Sequence, residues 1–314
     1  MRAMNVLGIC LTLLAGLAAG CFKPVPQAPA GKMQVVAGIA PISYLAEKVG
    51  GERVSVMTLV TAGQSPHSYE ATPSQIIAVS KAKVFLASGW PFEQQLLNKL
   101  KEINGTMAIV DLRQGIKMRY LTDQESAADN DEPAKPAASD AGKGQGEPDP
   151  HIWLSPRNAA IMADAIVKAF ASADPAHAAE FEKNGAALKA ELAQVDKELA
   201  EALAPLKGKK FFTYHPAFGY FADAYGLIQV PVEMEGKEPG LQQLSRFIDM
   251  AGKEGVKVIF VQPQFSSRSA QAVADAIGGA VIPMDDLAHD YIENLRDMAR
   301  KVSAALKAAG GKKP

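Results

Sequence analysis

Apolar residues recur along most of this chain in two alternating rhythms. Short dense runs, MQVVAGIA (33–40), RVSVMTLV (53–60), KVFLASG (83–89) and TMAIVDL (106–112), have the length and β-branched content of buried strands. Between them lie the segments 41–51, 72–82 and 91–103, with helical spacing, Pro near the start and, in the first, Gly past the end. Thr72 followed by Pro73 reads as an N-cap and first helical position. The rhythm resumes later, with strands predicted at 209–215, 256–262 and 280–285 and helices at 216–226, 241–255, 266–279 and 289–309. Strands alternating with helices of this length predict wound parallel sheets in each half.

Between the halves the period changes. Phe181, Leu188, Leu192, Val195, Leu199, Leu203 and Leu206 form one apolar stripe at helical spacing. Asp174 and Pro175 open this segment and Lys207-Gly208 closes it, which predicts a helix of about 30 residues, ~45 Å long. The fold class expected is α/β, with two wound parallel-sheet lobes joined by a long rigid helix and a ligand cleft between them. The expected divisions are a first lobe over 33–173, the connecting helix over 174–207 and a second lobe over 208–314.

Two segments break the pattern. Residues 1–20 carry one Arg, an apolar run from Val6 to Leu17 and then small residues. That run is short for a bilayer span and suits a secretory signal. LAAGC, ending at Cys21, resembles a bacterial lipobox, so residues 21–32 are expected to be a lipid-anchored linker. Cleavage there removes Cys10 and leaves one Cys, which cannot form an internal disulfide. Lipidation at Cys21 consumes that thiol. The second segment, 121–149, is expected to be a mobile acidic loop: from residue 122 it holds eight acidic residues, two Lys and nothing apolar larger than Ala. The whole chain has a formal charge of −1, so its composition shows no polyanion-binding balance and no nucleic-acid partner is expected.

The candidate chemistry lies where strands or loops give way to helices. Of the five His, His67, His151 and His215 all fall at such junctions, and Asp285 follows a predicted strand. Ligands of open α/β sheets bind outside the carboxyl ends of the strands. Three neutral imidazoles and a carboxylate suit tetrahedral Zn²⁺. The gaps of 84, 64 and 70 residues demand a folded scaffold, and each His taken singly also reads as a surface or satisfied buried ring.

Four motifs in order, PHSYEATPSQ, DPHIWLSPRNA, TYHPAFGYFADAYGL and VIFVQPQFSSRSAQAVADAIG followed by MDDLAHDY, resemble the cluster A-I solute-binding proteins of ABC transporters. These are the zinc/manganese periplasmic binding family. The resemblance spans about residues 33–308. It implies His67, His151, His215 and Asp285 as metal ligands, with Asp286 a competing acid where the family usually has Pro. Manganese-type members usually carry Glu at the position of His215, so the imidazole implies zinc, with Mn²⁺ or iron as the alternative cargo. It further implies a monomer outside the cytoplasm, periplasmic or tethered by lipid to a bacterial membrane. That monomer delivers its ion to a membrane permease with a cytoplasmic ATPase, and is not an enzyme. Many zinc-type members have a His-rich loop where this chain has its acidic one.

Glu70 is a candidate acceptor for a ligand imidazole, and Asp149 reads either so or as a surface acid. His177 and His289 read as surface residues, Trp90 and Trp153 as core or cleft-wall aromatics. Ligand rings must be neutral, so affinity is expected to fall as pH drops through about 6.5. A zinc metallohydrolase and an adhesion lipoprotein are the rival readings. The chain lacks HExxH, GxSxG and any adhesion module.

Overall fold

The computed structural model describes residues 31–100, 104–121, 148–232, 241–265 and 267–310. The signal-like segment, Cys21 and residues 122–147 of the acidic segment lie outside the described residues.

Strands β1 (Met33–Ala37), β2 (Val54–Thr58), β3 (Val84–Ala87) and β4 (Ala108–Asp111) form one parallel sheet in the order β2-β1-β3-β4. Strands β5 (Lys210–Thr213), β6 (Ile228–Pro231), β7 (Val258–Val261) and β8 (Ala280–Pro283) form a second in the order β6-β5-β7-β8, also parallel. The same winding therefore occurs twice. In each sheet the order in which the chain lays down strands reverses at the central parallel pair, β1/β3 and β5/β7, and the crevice for a ligand opens beyond the carboxyl ends of those pairs. Residues 38–39, 88–90, 214–215 and 262 follow these four strands directly.

The helices among the described residues are α1 (Ala40–Gly50), α2 (Pro73–Val79), α3 (Pro91–Leu100), α4 (Pro156–Ala173), α5 (Ala178–Leu203), α6 (Gly219–Tyr225), α7 (Leu241–Lys253), α8 (Ser267–Ala276) and α9 (Tyr291–Gly310). The expected cap of α2 is present: Thr72 Oγ1 accepts from Gln75 N–H and Gln75 Oε1 accepts from Thr72 N–H. Two elements go beyond the sequence reading, α4 and β6. The segment read as one connecting helix is α5 flanked by short 3-10 turns at Pro175–His177 and Ala204–Leu206. Helix α6 starts three residues later than Pro216, because His215–Phe218 turn out of the strand first.

All seven residues of the connecting stripe are buried, at 5% exposure or less. They do not form a bare strut, since α5 packs against α1, α4 and α9. The main apolar core runs without interruption from Val36 and Phe85 of the first sheet, through Leu192 and Leu199, to Phe218, Phe221 and Tyr291 of the second lobe. A smaller core, including Phe212, Ile259 and Val273, fills the far face of the second sheet. A core shared across both lobes opposes wide hinge opening, because separating the lobes exposes buried apolar surface to water.

One close approach at the cleft fixes a residue type. A Cβ on Gly38, just past β1, would sit 2.2 Å from Glu93 Oε1. Gly38→Ala is therefore expected to destabilise the fold by about 1–3 kcal/mol through overpacking, read as a lowered urea midpoint at unchanged m-value. An unchanged midpoint would contradict that packing.

Candidate metal centre

Each of the three His is held by a different local device. His67 lies in a 3-10 turn, Pro66–Ser68, whose first N–H groups need an acceptor, and Ser65 Oγ accepts from His67 N–H at 3.3 Å. His67 is an exposed residue, but its ring stands edge-on to Trp90, with centroids 5.0 Å apart. Trp90 follows β3 and is 2% exposed, so the first lobe supplies a rigid wall for that ring.

His151 is buried between Trp90 and Trp153, at centroid distances of 5.5 and 5.3 Å. Asp149, fully buried, accepts both the backbone N–H (3.0 Å) and Nδ1–H (2.8 Å) of His151. Holding the proton on Nδ1 leaves the Nε2 lone pair free to bind a metal. The outer acceptor is thus Asp149. Glu70 is exposed and makes no hydrogen bond to a ligand ring among the described residues.

His215 comes two residues after β5, as its position before Pro216 suggests. It is buried and its ring stacks on Phe265, 4.8 Å away with 28° between the planes. Gln262, at the end of β7, brackets its backbone: Oε1 accepts His215 N–H at 3.4 Å and Nε2–H donates to His215 C=O at 3.1 Å. Gln262 and Phe265 escaped the sequence reading. The signal for Gln262 was its place directly after a central strand.

These devices bring three Nε2 atoms from two lobes together. His67 and His215 are 3.0 Å apart, His215 and His151 3.3 Å, and the donor atoms of all three lie within 4.8 Å of one another. A tetrahedral zinc with Zn–N near 2.0–2.1 Å separates its nitrogens by about 3.3–3.4 Å. The two separations that involve His215 lie within a few tenths of an ångström of that value, and the third pair is within 4.8 Å.

The electrostatics favour neutral ligands. Although the His67 residue as a whole is exposed, its ring is enclosed by Trp90, His151 and His215. That enclosure, then the neighbouring rings of His215 and His151, lowers His67 to about 2, against the pull of Asp149. Burial, then His151, holds His215 well below its ordinary value. The expected loss of affinity near pH 6.5 is therefore displaced downward at these two rings, because the fold already refuses their protons.

The fourth expected ligand is placed differently. Asp285 Oδ1 accepts from Gln264 Nε2–H at 3.0 Å and from Leu287 N–H at 2.9 Å, and its oxygens are not part of the three-His group. Asp286 is 6% exposed and its Oδ1 has no hydrogen-bond partner. Burial, then the charge of Asp285, pushes Asp286 up to about 7, against the pull of His151. Trp153 Nε1–H donates to Asp286 C=O at 2.7 Å, tying this turn to the wall behind His151. His177 and His289 lie apart, bonded to Asp174 and Glu47.

Two wound parallel-sheet lobes with imidazoles from both converging in the crevice define a two-lobed metal-binding protein. The sequence matches the family described as ZnuA, zinc-uptake complex component A, periplasmic, over residues 35–305, and the chain belongs to that family. A crystal structure of a zinc-bound deletion variant of ZnuA superposes with a TM-score of 0.77 at 37% identity, covering 90% of this chain and 100% of that one. The high-affinity zinc uptake system protein ZnuA of Bacillus subtilis (strain 168) is 27% identical over 276 residues, 87% of this chain and 84% of the relative. The manganese-binding lipoprotein MntA of the same strain is 29% identical over 248 residues, 78% of this chain and 75% of the relative.

Proposed function

We propose that this protein captures Zn²⁺ outside the cytoplasm and delivers it to an ABC permease whose cytoplasmic ATPase drives import. The observation that carries the reading is the convergence of three imidazoles from two lobes, with the His67 and His151 Nε2 atoms each 3.0–3.3 Å from that of His215. Three imidazoles suit Zn²⁺ better than Mn²⁺, which prefers oxygen donors, so the site argues against the manganese alternative. His67, His151 and His215 supply three ligands. Asp285 supplies the fourth by giving up its bond from Gln264, and Asp286, with its unpartnered oxygen, is the competing donor. The protein binds and releases its ion without turning over a substrate. Cys21 carries the lipid that tethers the mature monomer, and residues 33–173, 174–207 and 208–314 act as first lobe, connector and second lobe.

The test is the metal content of the purified mature protein, with competitive Zn²⁺ and Mn²⁺ titration, on wild type and His215→Glu. About one tightly held Zn²⁺, weakened at least tenfold relative to Mn²⁺ by the substitution, is expected. A wild type that prefers Mn²⁺ contradicts the zinc assignment, and one that binds neither contradicts the function.

A further inference from the structure

The two buried ligand rings, His151 and His215, come from different lobes, and one side chain joins the structures that carry them. Arg119 Nη1–H donates to Asp149 Oδ2 at 3.0 Å, while the other oxygen of that carboxylate holds His151. Its Nε–H donates to Asp223 Oδ2 at 3.1 Å, on helix α6, the element that follows His215. Its backbone is engaged as well: Arg119 N–H donates to Tyr220 Oη of α6 at 2.8 Å, and Asp149 N–H donates to Arg119 C=O at 2.9 Å. The Arg119 side chain is 12% exposed and that of Asp149 is fully buried. Helix α6 is shaped around this contact, since a Cβ on Gly219 would lie 2.4 Å from the guanidinium carbon.

We propose that Arg119 is a positioning residue for zinc: it holds Asp149 so that His151 presents Nε2, and it ties that ring to α6 of the second lobe. This rests on the zinc-capture reading above. A planar guanidinium serves both carboxylates through donors fixed in one rigid fork, whereas a lysine offers a point charge on a flexible stem without that geometry. A carboxylate that fixes a ligand imidazole is worth about 10–100-fold in metal affinity when lost. Arg119 acts one bond further out and, through α6, on the second lobe as well. A salt bridge of purely structural effect would change stability and leave the tautomer of His151 and the zinc affinity alone.

The experiment compares wild type, Arg119→Met, Arg119→Lys and a His151→Ala control. It reads Zn²⁺ affinity by competition with a chromophoric chelator, and the ¹⁵N shifts of the His151 imidazole in metal-free protein. Arg119→Met is expected to bind Zn²⁺ at least about tenfold more weakly, with His151 shifting from Nδ1–H toward a tautomer mixture. Arg119→Lys is expected to keep the wild-type tautomer, by retaining a cation beside Asp149, and to bind about threefold or more below wild type, by losing the fork to Asp223. Wild-type affinity or an unchanged tautomer in Arg119→Met overturns the proposal. If Arg119→Met does not fold, Arg119→Lys decides: the threefold loss supports it, and wild-type affinity overturns it. A wild type that holds no more Zn²⁺ than His151→Ala sinks the zinc reading itself, whereas tight binding by both wild type and Arg119→Met sinks only the role of Arg119.

Discussion

His67→Ala is expected to lower zinc affinity by about a hundredfold to a thousandfold while leaving the metal-free fold intact at neutral pH. Structural zinc sites bind with about 10–16 kcal/mol at pH 7, so an even share for one of four ligands is on the order of 3–4 kcal/mol. His67 is the cleanest of the three to remove, because it lies in a short turn and only its ring is enclosed, whereas His151 and His215 are buried as whole residues. Deleting either of those would mix the loss of a ligand with the loss of packing. Competition titration measures the affinity, and a change of less than about tenfold would remove His67 from the ligand set.

The same variant has an acid signature whose sign follows from the depressed imidazole. The unfolded chain takes up a proton at His67 near the ordinary value of 6.5, and the folded chain only near 2. The stability involved is fully present above pH 6.5 and is lost as pH falls below it. Two buried acids oppose this in the whole protein. Glu93 and Asp286 are both pushed up to about 7 by burial, so folding gains from their protonation as pH falls through 7. The contribution of His67 is therefore read as a difference. The urea midpoint of metal-free His67→Ala should rise relative to wild type between about pH 7 and pH 5. A difference that does not move with pH contradicts a neutral, proton-excluding His67.

Glu93→Ala is expected to cost at least about 3 kcal/mol of stability, a large part of the 5–15 kcal/mol typical of a folded protein. Glu93 is 1% exposed and sits in the first turn of α3. Its Oε2 accepts N–H groups of Ser88, Gly89 and Trp90 at 2.9, 2.7 and 3.1 Å, and its Oε1 accepts from Ser88 Oγ at 3.0 Å. Removing the carboxylate leaves those donors without an acceptor in a site closed to water. The loop they belong to carries Trp90, the wall against which His67 and His151 pack. Thermal unfolding of the metal-free protein should move down by roughly 6–12 °C. A shift under about 2 °C would mean that the donors find other partners and that Glu93 does not hold the loop.

The three imidazoles were legible in the sequence because each sits where a strand or loop gives way to a helix, and topology then converts that position into convergence. The connecting stripe was legible for a similar reason: seven apolar residues at helical spacing have one face to bury. Helix α4 was equally available, with Ser155 as cap, Pro156 at its start and Met162, Ile166 and Phe170 on one face, all buried in the structure. Strand β6 was harder to see, because IQVP is only four residues long and ends in Pro.

The outer parts of the site were not legible, since they depend on contacts distant in sequence. Asp149 reads in the sequence either as an acceptor for a ligand imidazole or as a surface acid, and only the fold decides, by burying it between His151 and Arg119. Glu70, three residues from a ligand in sequence, makes no such bond among the described residues. Gln262, Phe265 and Asp223 approach the site only because the second sheet places β7 beside β5 and α6 beside the first lobe. Periodicity carries the elements, but the side chains that tune a ligand are chosen by packing.

The most direct test is zinc K-edge X-ray absorption on the protein loaded with one equivalent of Zn²⁺, in wild type and His215→Ala. The account predicts three imidazole nitrogens near 2.0–2.1 Å and one oxygen near 2.0–2.2 Å in the wild type, with one nitrogen fewer in the variant. A shell of oxygens alone, or a wild-type spectrum from His215→Ala, would contradict a zinc held between the lobes by His67, His151 and His215.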